Sequence, residues 1–305
     1  MSTSVREFAA VSRAQQSRSR LPPILGSLTL PAVALVVVYL VFAVSPAGRA
    51  VDLTAFAGRL DAGHQLHLLN VGLLNAITVT SAGVGLLGLV AVGLWRHRLS
   101  SAIRAVGAVV AATLSAELMK LTLPHARYTD QVGSWGGGGS FPSGHTTIAA
   151  SLSLALLAVS SASWRRRLVG PLMAWTVLTA TATITMGWHL PSDVLGALAL
   201  AALWHRVTHV GDPAHVRLRD TIGWSSWMAR AKAWSKPAVW WSVATAIVLW
   251  GSRPTPTRGE ALAEAPTAAY LLALTAVALG AVILFVGSRQ MRASHALERF
   301  GAELT

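Results

Sequence analysis

Three short polar clusters interrupt an otherwise apolar sequence, and each contains residues that can bind or transfer a phosphate. They are KLTLPHAR at 120–127, PSGH at 142–145 and GWHLPSD at 187–193. The first supplies the cations Lys120 and Arg127, a point charge and a planar bidentate donor. In the second, Ser143 and Gly144 stand where we expect a helix to begin, so backbone N–H groups and the positive end of the helix dipole would face an oxyanion. Fixed charge and donors of this kind are what phosphoryl transfer requires.

Two histidines complete the chemistry that the clusters predict. Asp193 follows His189 by four residues and is within reach if a helix begins at Pro191; a carboxylate there would fix the imidazole tautomer of an activated nucleophile. His145 would then protonate the leaving oxygen. The sequence has no cysteine, which excludes thiolate metal sites and cysteine nucleophiles, and this set of residues lacks the carboxylate cluster that Mg²⁺ prefers. We therefore expect a reaction that uses no metal and no cofactor.

The composition is typical of a membrane protein. Hydrophobic residues make up 53% of the chain and charged residues 12%, about half the usual fraction in a soluble domain. The net charge of +13 lies in short clusters between long apolar runs, which favours membrane topology and argues against a nucleic-acid partner. A span takes about 20 mainly apolar residues, and by that rule we predict an all-α polytopic protein with eight spans. They lie at about 24–45, 68–94, 101–123, 142–162, 168–187, 190–207, 237–251 and 267–288.

The distribution of positive charge predicts the orientation of these spans. If the N-terminus is cytoplasmic, 19 of the 25 Lys and Arg residues fall in cytoplasmic segments and six fall outside. The outer six include Lys120 and Arg127, and all three polar clusters then lie on the outer side. We therefore expect both termini in the cytoplasm and the site at the exterior face of a cell membrane.

The spans and loops divide the chain into five segments. The first 20 residues are polar and basic, without the apolar stretch of a cleaved signal peptide. Further on, Trp224, Trp227 and Trp234 recur at helical spacing beside basic residues, which predicts an amphipathic helix at the cytoplasmic leaflet. The segments are a cytoplasmic N-terminal tail (1–23), a six-helix core (24–207), a cytoplasmic amphipathic loop (208–236), two additional transmembrane helices (237–288) and a cytoplasmic tail (289–305).

The three motifs K-x6-R, PSGH and H-x3-D, in this order, resemble the type 2 phosphatidic acid phosphatase (PAP2) superfamily, a group of membrane lipid phosphatases. The resemblance covers about residues 24–207 and implies the six-helix core of that superfamily. It implies that the histidine at His189 attacks phosphorus and forms a phosphohistidine, with Asp193 assisting it and His145 acting as the general acid. It also implies that the phosphate is bound by Lys120, Arg127, Ser143 and Gly144.

Two of the three motifs depart from the pattern of the superfamily. Tyr128 follows Arg127 where a proline is usual, which we expect to be a minor change in loop shape. The third motif normally begins with Ser-Arg, whereas this chain has Ala182 and Thr183, so one bidentate phosphate ligand is missing. By analogy with removing one oxyanion donor, the loss costs about a few kcal/mol of transition-state stabilisation. We therefore expect a substitute cation, a slow enzyme or no hydrolysis at all. The candidate substitutes are Arg49, Arg59 and His125.

Several smaller features allow two interpretations. Glycines 136–139 lie in the loop before the second motif and could move over a lipid headgroup or act as a plain spacer. Glu117, one turn before Lys120, could orient that lysine or only neutralise it. His64, His67 and His125 are expected to be interfacial loop histidines.

These features predict metal-independent hydrolysis of a lipid phosphate monoester or diphosphate, such as a polyprenyl phosphate or diphosphate, phosphatidic acid or phosphatidylglycerol phosphate. Two alternatives stay open. One is a phosphotransferase that passes the phosphoryl group to an acceptor other than water. The other is a non-catalytic lipid-phosphate binding or transport protein, which Thr183 favours. The two additional C-terminal helices could shape lipid entry, mediate homo-oligomerisation or serve only as anchors.

Overall fold

The computed structural model describes residues 21–61, 64–123, 140–209 and 264–289. Within these ranges the regular structure is entirely helical, so the prediction of an all-α protein is confirmed. The helices are α1 Leu21–Val38, α2 Pro46–Ala57, α3 His64–Asn75, α4 Val79–Trp95, α5 Leu99–Thr122, α6 Gly144–Val159, α7 Ala162–Thr185, α8 Pro191–Val207 and α9 Glu264–Arg289. A π-helical turn, Tyr39–Val44, extends α1, and a 3-10 turn, Gly58–Asp61, follows α2.

Several of these helices are long and apolar enough to cross a membrane. Three qualify by themselves within the described residues: Leu99–Thr122, Ser163–Thr185 and Thr267–Leu284. Leu28–Val44 and Pro46–Ala57 would make a fourth if they form one broken span, and Thr80–Trp95 and Gly144–Val159 are apolar but shorter. The chain is thus a polytopic helical membrane protein, although fewer of its described helices meet the length criterion than the eight spans predicted.

The span predicted at 68–94 is in fact two helices, α3 and α4. They separate at Thr78, whose hydroxyl accepts a hydrogen bond from the backbone N–H of Ser81 at 3.1 Å, while the Ser81 hydroxyl accepts one from the Thr78 N–H at 2.8 Å. This reciprocal capping box satisfies backbone donors at a helix start and so competes with continuing one helix through the segment. A break of this kind cannot be predicted from hydropathy alone.

Helix α2 was not predicted, because its 12 residues are too short and too polar to read as a span. Its start follows helix-capping rules, since Ser45 accepts a hydrogen bond from the N–H of Gly48 at 3.0 Å and Pro46 occupies the first turn. The chain bends by 86° between the preceding helix and α2. The bend carries α2 against the third polar cluster, where its residues Asp52 and Phe56 are buried.

A row of alanines lets α5 approach α6 closely. Ala102, Ala105, Ala108, Ala112 and Ala116 recur every three or four residues along α5, and each is buried. Ala102 and Ala105 cluster with Ala155 of α6. Small residues at this spacing allow helix backbones to pack tightly where lipid removes the hydrophobic driving force. The packing brings the end of α5, which carries Lys120 of the first polar cluster, to the start of α6, where the second cluster lies.

The C-terminal helix α9 packs against the two helices that flank the third cluster. Its residues Tyr270, Leu274 and Val277 are buried together with Ile184 of α7 and Val194 of α8. It therefore supports the turn between α7 and α8. The other predicted C-terminal helix, at 237–251, lies outside the described residues, as do the amphipathic segment and the ends of both tails.

Candidate active site

The second cluster forms the start of α6. Ser143 is the N-cap residue: its buried hydroxyl accepts a hydrogen bond from the N–H of Thr146 at 3.4 Å. Its own N–H donates to the carbonyl oxygen of Asp193 at 2.9 Å, which joins the second cluster directly to the third. The N–H group of Ser143 is therefore occupied in this structure. A bound anion would instead meet its hydroxyl hydrogen and the N–H groups of Gly144 and His145 in the first helical turn, which have no acceptor within their helix.

Phe141 anchors the segment that leads into this turn. It is buried, its ring lies 5.4 Å from that of Tyr39, and it packs directly over Gly196 of α8, where a side chain would overlap the ring. The chain before α6 is thus fixed by apolar contacts on two other helices. This anchoring holds Ser143 and Gly144 in place; the glycines 136–139 lie outside the described residues.

Lys120 reaches the first turn of α6 from the last turn of α5. A Cβ atom placed on Gly144 would lie 3.1 Å from Nζ of Lys120, so the absence of a side chain there makes room for the ammonium group. Nζ also lies 2.7 Å from Oε1 of Glu117, whose side chain is 56% exposed. An exposed pair of this kind contributes little stability. The lysine has three donors, and Glu117 uses one of them.

The third cluster brings a histidine and a carboxylate together. Nδ1 of His189 lies 3.3 Å from Oδ2 of Asp193, and the same oxygen accepts a hydrogen bond from the N–H of Leu190 at 3.0 Å. Asp193 is buried in the first turn of α8, which begins at Pro191, while the His189 side chain keeps 13% of its surface exposed. The carboxylate is therefore fixed by the backbone and can hold the imidazole in one orientation.

A tight turn between α7 and α8 presents His189. The carbonyl oxygen of Thr183 accepts hydrogen bonds from the N–H groups of Trp188 at 3.0 Å and His189 at 3.2 Å. Gly187 has a φ of +74°, a conformation that glycine adopts without steric cost. The Thr183 side chain is fully buried and its hydroxyl donates to the carbonyl of Ala180 at 2.8 Å. That hydroxyl is thus directed back into α7.

The structure brings most of the predicted site residues to one end of the helices. The His145 ring lies 5.3 Å from the Trp188 ring, and it interacts electrostatically with both His189 and Lys120. Arg127 and His125 lie outside the described residues. The arrangement places a carboxylate-oriented imidazole, a second imidazole, an ammonium group and a helix start around one position, which is a set of groups suited to phosphoryl transfer.

Sequence reasoning missed Asp52 of α2. Its Oδ1 accepts a hydrogen bond from the N–H of Ser192 at 3.1 Å, and its Oδ2 lies 2.5 Å from the Ser192 hydroxyl. Burial, together with the nearby charge of Asp193, raises the pKa of Asp52 to about 7, although the hydrogen bonds of Ser192 act to lower it. The partners lie 140 residues apart, so no local motif indicates the pair. The only signal was a carboxylate in a short segment between apolar runs.

Comparison with known proteins finds a family model that matches the segment containing this site. Residues 120–217 match the family model described as the PAP2 superfamily. The described site residues from Lys120 to Asp193 lie inside that range. The resemblance that the three motifs indicated is thereby confirmed for this part of the chain.

Two similar proteins come from Bacillus subtilis. Undecaprenyl-diphosphatase BcrC of strain 168 is 43% identical over 65 residues, which are 21% of this chain and 31% of the relative, so the match spans about a third of that protein. The crystal structure of a transmembrane PAP2-type phosphatidylglycerolphosphate phosphatase matches with a TM-score of 0.51 and 15% identity. That match covers 60% of this chain and 94% of the other, and at this identity it concerns the fold. The helices therefore share the fold of a PAP2 membrane protein.

Proposed function

We propose that this protein hydrolyses a phosphate monoester or diphosphate on a lipid, without a metal ion, through a phosphohistidine. One observation carries the proposal: Nδ1 of His189 lies 3.3 Å from the buried carboxylate of Asp193, with His145 and Lys120 at the same end of the helices. The similar protein that shares 43% identity over 65 residues is named an undecaprenyl-diphosphatase, which supports a lipid diphosphate among the substrates.

In the first step, His189 attacks phosphorus and the bond between phosphorus and the leaving oxygen breaks. Because Asp193 faces Nδ1, the proton of the neutral imidazole resides there and Nε2 carries the attacking lone pair. His145 gives its proton to the leaving oxygen. The carboxylate of Asp193 stabilises the positive charge that the ring of His189 gains when the nitrogen–phosphorus bond forms.

In the second step, water attacks the phosphohistidine. His145, which has lost its proton, accepts one from the water, the nitrogen–phosphorus bond breaks and its electron pair returns to Nε2 of His189. Inorganic phosphate leaves and both histidines regain their starting protonation. An alcohol in place of water would make the same site a phosphotransferase, so the two reactions differ only in the acceptor.

The negative charge of the phosphoryl oxygens is met by cations and helix donors. Lys120 supplies an ammonium group beside Gly144, and the first-turn N–H groups of α6 and the hydroxyl of Ser143 supply hydrogen bonds. Arg127, which lies outside the described residues, is proposed as a further ligand on the strength of the first motif. We also propose, from the distribution of Lys and Arg, that the site faces the exterior side of the membrane.

Thr183 favours a second candidate function, non-catalytic binding of lipid phosphates. The superfamily pattern has an arginine at this position, whereas the Thr183 hydroxyl donates to Ala180 within its own helix. A site that lacks one phosphate ligand could bind its lipid without cleaving it. Measuring phosphate release by the purified protein separates these two functions.

The test is phosphate release by the purified protein over a panel of lipid phosphates with a chelator present. We expect release by the wild type and at least a 10³-fold loss in His189→Asn, because the nucleophile is removed. His97→Asn is the matched control: His97 is exposed between α4 and α5, and asparagine tolerates its φ of +51°. Wild type quenched in alkaline detergent, in which a nitrogen–phosphorus bond survives, should also carry one substrate-derived phosphoryl group, absent from His189→Asn. Full turnover by His189→Asn would refute the mechanism, and binding without release would favour the non-catalytic function.

A further inference from the structure

Arg59, in the 3-10 turn after α2, lies against the turn that presents His189. A Cβ atom placed on Gly187 would lie 2.9 Å from Nε and 3.5 Å from Nη2 of Arg59. Only a residue without a side chain allows this approach, and the φ of +74° at Gly187 independently favours glycine. The guanidinium group therefore lies over the backbone two residues before the proposed nucleophile.

The guanidinium group of Arg59 is held by Phe56 of the preceding helix, α2. Its Nη1 donates to the carbonyl oxygen of Phe56 at 2.9 Å, and its central carbon lies 3.6 Å from the centroid of the Phe56 ring. Phe56 is buried and packs against Leu190, the residue that follows His189. An arginine has five N–H donors, and this hydrogen bond uses one. The group is thus held in place with further donors for a ligand.

Two further contacts join the segments around the α7–α8 turn. Asp52 of α2 binds Ser192 at the start of α8. Tyr270 of α9 interacts electrostatically with Arg59, and its hydroxyl lies 2.7 Å from that of Thr185 near the end of α7. The ion pairs among the described side chains are Lys120 with Glu117 and His189 with Asp193, so neither includes Arg59. A half-buried cation held beside a phosphate site is well placed to pair with an anionic ligand.

We propose that Arg59 takes the place of the arginine that is missing at Thr183 and binds the phosphate oxygens of the substrate. The proposal rests on the proposed function, since it assumes a phosphate at His189. A guanidinium group suits this task because its parallel donors match two phosphate oxygens. The arginine of the superfamily pattern belongs to the helix before the nucleophile. Arg59 instead reaches the same turn from the segment that follows α2, outside the matched residues 120–217.

The other candidate substitutes fit less well. Arg49 lies in the first turn of α2, about two helical turns before Phe56, the residue that holds the Arg59 guanidinium. His125 lies outside the described residues. Arg49 is therefore the natural control, because it belongs to the same short helical segment and carries the same charge.

The experiment compares Arg59→Gln, Arg59→Lys and Arg49→Gln in the phosphate-release assay. We expect Arg59→Gln to lower kcat/KM about 100-fold or more, as loss of one oxyanion donor does, Arg59→Lys to recover part of this loss, and Arg49→Gln to stay within about twofold of wild type. Thr183→Arg should raise the activity of Arg59→Gln at least tenfold and change wild type little. Thermal unfolding in detergent shows whether each variant is folded.

Two results separate this inference from the proposed function. If wild type releases phosphate in a His189-dependent manner and folded Arg59→Gln stays within twofold of it, Arg59 is no phosphate ligand although the enzyme assignment stands. If wild type releases no phosphate, the proposed function fails. The role of Arg59 is then tested separately by measuring the affinity of each variant for inorganic phosphate. A Kd at least tenfold higher in folded Arg59→Gln than in Arg49→Gln supports the role, and equal values overturn it.

Discussion

The first and third polar clusters use opposite means to position their functional groups. In the third, Asp193 is buried, its carboxylate is bonded to a backbone N–H, its carbonyl is bonded to Ser143, and the neighbouring Ser192 is held by Asp52. In the first, Lys120 is paired with a Glu117 side chain that is 56% exposed. The proposed nucleophile thus lies in a network of buried hydrogen bonds, and the proposed cation lies at a solvent-accessible helix end.

The difference follows from what each group must do in the proposed reaction. A nucleophile must approach phosphorus along one direction, so small errors in its orientation lower the rate of the chemical step. A lysine acts as a point charge, and its long flexible side chain can adjust to lipids of different shape. Buried networks also resist partial disruption, because removing one partner leaves another unsatisfied. Substitutions in the two clusters should therefore differ widely in effect.

The largest effect is expected for Asp193→Asn. An amide has only one accepting oxygen, and its NH2 group facing Nδ1 would favour the wrong imidazole tautomer. Phosphate release should therefore fall by about 10³- to 10⁴-fold, as in the Ser-His-Asp systems where this exchange was measured. Rates with saturating lipid phosphate measure it. Asp193→Glu, which keeps the charge, should lose less. A loss below about tenfold in folded Asp193→Asn would show that the carboxylate does not orient the nucleophile.

Asp52→Asn is expected to change the pH dependence of stability. Because the pKa of Asp52 is about 7 when folded and 3.8 ordinarily, the folded state holds a proton that the unfolded state releases. The stability contributed by Asp52 is thus full below about pH 4 and is lost as the pH rises to about 7. Asparagine resembles the protonated acid, so the variant should lack this decline, an effect of at most a few kcal/mol. Thermal unfolding in detergent from pH 4 to 8 measures it.

The matched control for this prediction is Glu117→Gln, which changes an exposed carboxylate paired with Lys120 of the first cluster. It should leave the pH dependence of unfolding unchanged. If Asp52→Asn also leaves the decline between pH 4 and 7 unchanged, the protonation of Asp52 does not contribute to holding Ser192. The third cluster would then not differ from the first in this respect.

The smallest effect is expected for Glu117→Gln on activity itself. An exposed ion pair contributes about 0.2–1 kcal/mol, so kcat/KM should change by less than about fivefold. A drop in KM would mean that Glu117 neutralises Lys120 and weakens phosphate binding, whereas a drop in kcat would mean that it orients the lysine. A loss of 100-fold would contradict the contrast drawn between the two clusters.

Hydropathy predicted the fold class better than the helix boundaries. The all-α membrane architecture is confirmed, because long apolar runs leave few other structures possible in lipid. The division at Thr78 and the short helix α2 escaped prediction, since both depend on capping side chains rather than on hydrophobicity. The pairing of His189 with Asp193 was predicted from their spacing, because four residues span one helical turn and Pro191 begins a helix. Their catalytic roles, and those of the other site residues, remain predictions.

The residue types along the chain establish the chemistry available to this protein: which side chains could bind or attack a phosphate, and that apolar helices would carry them. The packing of the helices establishes which distant groups join them. Asp52 meets Ser192 across 140 residues, and Arg59 lies over Gly187, because α2 turns back at Ser45 and packs on the α7–α8 turn. Spacing along a helix can be read from residue types, but contacts between distant segments depend on how surfaces pack, and no local pattern encodes them.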